Sequence, residues 1–180
     1  PLDNLPFPSR DELLISYTSK ATIREALVES SRGCTFNCSF CSIPSYYKQA
    51  HGRLCRERSV ENICNELTLL VSKFPDLDLI SFTDDNFIGF DSRYYDRALQ
   101  IAQHIHSLDP ELLFEIVCRV DAIREKEFAE LASLGLTGVY LGIESGVQRV
   151  LNLFRKRTTV EHNIRAIQIL SNLGIGCDIG

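Results

Sequence analysis

Short apolar runs alternate with amphipathic helical segments from residue 24 onward, and this alternation limits the fold more closely than any other feature of the sequence. Strand-like runs fall at 25–30, 79–83, 113–119 and 138–143, and a fifth, GIGCDIG, occupies 174–180. Between the first two, Ser59 is placed to cap a helix whose Val60, Ile63, Cys64, Leu67, Leu70, Val71 and Phe74 share one face, and Pro75 stops it. The spacing predicts a second helix over 92–108, with Tyr94, Ala98, Ile101, Ile105 and Leu108 inward. A third covers 125–134, closed by Gly135. Thr158 and Glu161 form an expected capping box for a fourth, with Val160, Ile164, Ile167 and Leu170 inward.

A strand that is followed by a helix and then by another strand pairs in parallel through a right-handed crossover, because the chain must return across the sheet. The expected class is therefore α/β. Four strand–helix units and the start of a fifth fit a partial (β/α) barrel of parallel strands with outer helices, truncated at its C-terminal end. In such a barrel the chemistry gathers at the C-terminal ends of the strands. A doubly wound sheet is the alternative.

At 180 residues, 44% of them hydrophobic and 24% charged, the chain can bury a core as one domain. Residues 1–20 carry three prolines and little periodicity, as a linker or entry segment would, leaving 21–180 as the core domain. The sequence starts at Pro1, contains no methionine and ends within an apolar run. It is expected to be a piece of a longer polypeptide. A net charge of −5 and a pI near 5.4 give no electrostatic footprint for general nucleic-acid binding. No run approaches the roughly 18 apolar residues of a membrane span, and the polar first residues do not read as a secretory signal, so the cytoplasm is the expected compartment.

Three of the seven cysteines crowd into the segment GCTFNCSFCSIP as Cys34, Cys38 and Cys41, just after the first strand. Their crowding and the odd total favour metal over disulfides. Only a wrapped loop can aim three such thiols at one centre. Thiolates are the usual ligands of iron–sulfur clusters, and three of them on four irons leave one iron open to a small chelating molecule. A structural zinc site is the competing reading, with His51 or Cys55 supplying a fourth ligand. Cys64, Cys118 and Cys177 lie in apolar runs and read as small core residues.

The C-x3-C-x2-C loop with Phe40 before its last cysteine resembles the signature loop of the radical S-adenosylmethionine superfamily. The segments SSRGCTFNCSFCSIP, RERSVENICNEL, ISFTDDNF, CRVDAI and GVYLGIESGVQRVL extend the resemblance to nearly the whole chain, in the order typical of the cobalamin-binding branch. The resemblance implies that Cys34, Cys38 and Cys41 ligate a [4Fe-4S] cluster, whose open iron is chelated by S-adenosylmethionine, and that Phe40 packs near the adenine. It implies reductive cleavage of that cofactor to methionine and a 5′-deoxyadenosyl radical, which attacks an unactivated carbon, and an electron donor such as flavodoxin or ferredoxin. Cobalamin-dependent methyl transfer or cyclisation on a small molecule or peptide is the expected reaction. The cobalamin would be bound by a domain outside this chain, upstream of Pro1. A radical methylthiotransferase acting on RNA or protein is the alternative, opposed by the missing GQN turn and the acidic charge. A non-enzymatic zinc-binding module is the alternative from another class.

By the same resemblance, Asp84 and Asp85, with Asn86, stand where the family contacts the methionine amino group; the competing reading is an ordinary acidic turn before a helix. Arg119, Glu144 and Ser145 end strands on the face where a barrel holds its ligands, and the resemblance gives them contacts to the cofactor's ribose and carboxylate. A structural salt bridge is the other reading of Arg119. Arg53, Arg56 and Arg58 form a small basic run of the kind that is usually solvated. The four histidines have no metal-ligand spacing.

Overall fold

The structure, a computed structural model, describes residues 1–11, 24–49, 53–89 and 91–180. His51 and residues 12–20 of the expected linker lie outside the described residues. Strands β1 (Glu25–Val28), β4 (Leu79–Phe82), β5 (Leu113–Arg119), β6 (Leu136–Gly142) and β7 (Gly176–Ile179) form one sheet in that order, every neighbouring pair parallel. Strands β2 (Ser31–Gly33) and β3 (Cys55–Glu57) make a separate antiparallel ribbon. The helices are α1 (Ile43–Gln49), α2 (Val60–Lys73), α3 (Ser92–Leu108), α4 (Glu125–Ser133), α5 (Gln148–Leu153) and α6 (Val160–Asn172).

The strands present two environments, with the alternation broken at the end of β5, where Cys118 and Arg119 are both buried, and in β6, where Gly138 and Val139 are both buried. Ala26, Val28, Ile80, Phe82, Phe114, Ile116, Val139 and Leu141 are buried, together with Ile63 and Leu67 of α2, Ile101 and Ile105 of α3, and Phe128 and Leu131 of α4. Each of these side chains larger than alanine contributes roughly 1.5–3 kcal/mol when removed from water. The opposite face holds Glu25, Ser81, Glu115, Gly138, Tyr140 and Asp178 around an open cavity of about 560 Å³. A doubly wound sheet would cover both faces. Apolar covering on one side and a polar concavity on the other define part of a barrel wall, and among the described residues no closed barrel is formed.

Expected elements and observed ones differ in several places. Strand β1 ends at Val28 rather than Ser30, because Ser30 and Ser31 are buried and bonded to Asp84. Strand β6 begins two residues before Gly138, and a register shift at Phe114/Glu115 absorbs the difference. The cap of α6 is Thr159, whose hydroxyl accepts from the His162 amide, while the His162 ring reaches back to the Thr159 amide. Thr158 is turned inward, 3% exposed. Asn163, Ala166, Ile169 and Leu170 face the core, and the expected inward residues Ile164 and Ile167 are exposed.

Residues 1–11 pack against the core. Leu2 is buried, Asp3 accepts from the Ser59 amide, and Arg10 donates to the Leu27 carbonyl at 2.6 Å. Glu66, 3% exposed, is held between Arg10 and Arg58. Arg58 is thus an internal anchor, whereas Arg53 is exposed and Arg56 stacks on Tyr47. Among the described residues no helix is long and apolar enough to cross a membrane.

Candidate active site

The loop that carries the three clustered cysteines is aimed by the turn that follows β1. Asp84, buried at the end of β4, accepts from the Ser30 amide at 3.0 Å, from the Ser30 hydroxyl at 2.6 Å and from the Ser31 hydroxyl. Its neighbour Asp85 accepts from the Gly33 amide at 2.7 Å. Gly33 has φ +93°, and a Cβ there would stand 1.9 Å from the Leu54 carbonyl oxygen, so only glycine lets the chain leave β2 at this point. Cys34 is thereby delivered to the C-terminal mouth of the sheet. The loop is tied at its far side by Ser39, whose amide donates to the Phe154 carbonyl at 2.8 Å and whose hydroxyl donates to the Leu153 carbonyl at 2.9 Å.

The result is a chamber of about 170 Å³ lined by all three cysteines, and also by Phe36, Phe40, Asp85, Asn86, Arg119, Glu144 and Lys156. The larger cavity on the open sheet face adjoins it, since Val117 and Tyr140 line both. The chemistry-bearing groups are in the smaller one. Asp84 and Ser145, expected near the cofactor, stand outside the lining. Asp84 is occupied by the two serines, and the Ser145 hydroxyl accepts from the Val147 amide.

Arg119, at the C-terminal end of β5 and 6% exposed, joins several of these groups. Its Nε and Nη2 both donate to Asp121 at 2.9 Å, Nη2 also donates to the Lys156 carbonyl at 2.7 Å, and Nη1 lies 3.6 Å from Cys38 Sγ. The guanidinium sits over the Phe36 ring at 3.8 Å. The structural salt bridge is present, since the Asp121 carboxylate pins the fork of Arg119, and the remaining nitrogen faces the Cys38 thiol. Glu144, beyond β6, accepts from Lys156 Nζ at 2.8 Å, and Phe40 packs on Phe154 at 4.9 Å between centroids.

Burial pushes the Cys34 thiol up, against the pull of the Phe36 backbone and of Arg119. A ligand-bearing site must overcome that burial to hold a thiolate. Asn86 is 9% exposed; its Nδ2 donates to the Ile88 carbonyl, and its Oδ1 has no hydrogen-bond partner among the described residues. An orphaned acceptor in a chamber wall fits a ligand that brings an N–H group. Also among the described residues, no three His, Cys, Asp or Glu side chains close on a point that would hold a single ion. Cys55, a possible fourth zinc ligand, lies in β3 opposite Gly33 and does not line the chamber. Burial pushes its thiol up to about 11.

Lys156 was not singled out from the sequence. It sits in the basic run Arg155–Lys156–Arg157, which reads as solvated surface, yet the two arginines are exposed while Lys156 is 4% exposed. Phe36 was missed as well, since nothing in the spacing marks it beside an arginine from β5.

A thiol-lined chamber at the C-terminal mouth of a parallel, one-sided sheet defines a metallocofactor-binding half-barrel. The family model of the radical SAM superfamily matches residues 28–179, and the chain belongs to that superfamily. It is 32% identical over 174 residues to an uncharacterized methyltransferase of Pyrococcus horikoshii, covering 97% of this chain and 36% of the relative. It is 29% identical to 4′-phospho-dehydrooxetanocin synthase of Priestia megaterium, over 99% of this chain and 25% of the relative. Among solved structures it is similar to the apo form of the cobalamin-dependent S-adenosylmethionine radical enzyme OxsB. There the TM-score is 0.74 at 27% identity, over 88% of this chain and 24% of the other. The chain thus spans about a quarter to a third of the length of these relatives.

Proposed function

We propose that this chain is the core on which Cys34, Cys38 and Cys41 hold a [4Fe-4S] cluster with S-adenosylmethionine beside it. The proposed reaction is methyl transfer or cyclisation at an unactivated carbon of a small molecule or peptide. The observation that carries the reading is the gathering of three thiols, a buried guanidinium and an unpartnered amide oxygen in one chamber that opens onto a larger cavity. Three thiols in one chamber suit a thiolate-ligated cluster, and Cys55, one of the two candidate fourth ligands of a zinc site, stands outside that lining. When bound, the cluster and S-adenosylmethionine supply one-electron cleavage of the sulfonium to methionine and a 5′-deoxyadenosyl radical.

The chain's own residues hold and orient. Arg119 Nη1 faces the sulfur of Cys38 and offsets thiolate charge there. Asn86 Oδ1 accepts an N–H of the bound cofactor, Phe40 offers a half-exposed ring to its adenine, and Asp85 and Glu144 supply acceptors on the wall. The substrate occupies the adjoining cavity, within reach of the chamber past Val117 and Tyr140. Cobalamin, bound by OxsB, is proposed as a further cofactor held by residues outside this chain, with flavodoxin or ferredoxin as the electron donor in the cytoplasm.

Anaerobic reconstitution tests the reading. About four irons and four sulfides per chain are expected, with reductant-dependent release of 5′-deoxyadenosine from S-adenosylmethionine. Stoichiometric zinc without iron, or an iron-loaded protein that leaves S-adenosylmethionine intact, overturns it.

A further inference from the structure

The non-glycine residues with positive φ among the described residues are Glu144 (63°), Arg155 (52°) and Arg157 (61°). All three belong to one corner of the molecule, and two of them flank Lys156. Side chains rarely adopt this backbone region, and such strain persists only where surrounding contacts hold it. Here those contacts are specific. The Leu153 and Phe154 carbonyls accept from Ser39 of the cysteine loop, the Lys156 carbonyl accepts from Arg119, and the Lys156 ammonium donates to Glu144. The turn therefore grips the loop by its backbone and sends one buried cation into the chamber.

Gly142 supports the same conclusion. A Cβ there would stand 2.8 Å from Lys156 Nζ and 3.2 Å from Glu144 Oε1, so the absence of a side chain makes the space in which the ion pair forms. A lysine whose only purpose was solubility would have no reason to be 4% exposed between two exposed arginines.

We infer that Lys156 is a positioning residue of the metal centre: the strained Arg155–Arg157 turn buries its ammonium to neutralise Glu144 and fix the charge that the chamber presents to the cluster. This rests on the assignment of the cluster to Cys34, Cys38 and Cys41. Net charge and nearby hydrogen bonds set the potential of an iron–sulfur cluster. Loss of a nearby positive charge disfavours the added electron, and loss of a negative charge favours it.

The test is an electron-paramagnetic-resonance redox titration of the reconstituted chain, with iron content measured in parallel. Lys156→Gln is expected to load iron and to shift the one-electron equilibrium about tenfold toward the oxidised state, about 59 mV lower in potential. Glu144→Gln is expected to shift it the opposite way, and the double variant to return toward the native value. Should Lys156→Gln fail to fold or load, the upward shift in Glu144→Gln decides the matter. Full iron loading with an unchanged potential in the variants that load overturns the inference and leaves the cysteine assignment standing. No cluster in the native chain overturns both.

Discussion

Arg119 Nη1 approaches the sulfur of Cys38 to 3.6 Å, joining the end of β5 to a loop that precedes it by eighty-one positions. The guanidinium cannot swing away, because Asp121 takes two of its donors and the Lys156 carbonyl a further bond. Replacing Arg119 with alanine is expected to leave iron binding in place, since the thiols remain, and to weaken S-adenosylmethionine binding about tenfold through the lost fixed charge. Calorimetry on the reconstituted variant measures this; native affinity would confine Arg119 to a structural role.

Single alanine substitutions of Cys34, Cys38 and Cys41 are expected to abolish cluster assembly. Cys64→Ala and Cys177→Ala should retain native iron content, because Cys64 lies on α2 and Cys177 packs on the core edge, both outside the chamber lining. Iron and sulfide analysis separates the two groups. Full loading of any loop variant would remove that residue from the ligand set.

Gly33→Ala should be the most disruptive small substitution near the site. The added Cβ meets backbone at 1.9 Å and the residue must hold φ +93°, so a loss of about 3 kcal/mol is expected, together with poor iron loading. Urea denaturation gives the first quantity and iron analysis the second.

Glu66→Ala removes the carboxylate between Arg10 and Arg58, whose side chains are only 13% and 11% exposed. Two poorly solvated cations left without their partner should cost about 3 kcal/mol. Residues 1–11 should also become sensitive to protease, because Arg10 is one of the contacts that tie them to α2.

Glu115, on the open sheet face, is pushed up from the ordinary glutamate range by burial and by the facing carboxylates Glu25 and Asp178. The folded state therefore holds this proton more tightly than the unfolded chain. The stability linked to it is fully present below the unfolded value of about 4.3 and is lost as pH rises through the higher folded value. Glu115→Gln should accordingly melt above the native chain at neutral pH, with the difference closing below about pH 4. Melting temperatures across that window test the sign.

The order of the main strands and helices was legible in the sequence because each is long enough for its apolar period to show, as in Tyr94, Ala98, Ile101 and Ile105 of α3. The ribbon of β2 and β3 and the short helices α1 and α5 were not, since three to seven residues carry too little period and Ser31–Gly33 pairs with polar Cys55–Glu57. The cap of α6 was misplaced by one residue because Thr158 and Thr159 have the same chemistry and only burial distinguishes them.

By itself the sequence determined the α/β class and the crowding of Cys34, Cys38 and Cys41, because periodicity and ligand spacing are local properties of a chain. It also marked Arg119 and Glu144, which end apolar runs. Only the tertiary structure decided that helices cover one face of the sheet, that Asp85 faces the chamber while Asp84 is spent on Ser30 and Ser31, and that Lys156 is buried between two exposed arginines. Those outcomes depend on which distant segments meet. Arg119 and Cys38 become neighbours only when the parallel crossovers bring the C-terminal ends of the strands to one side.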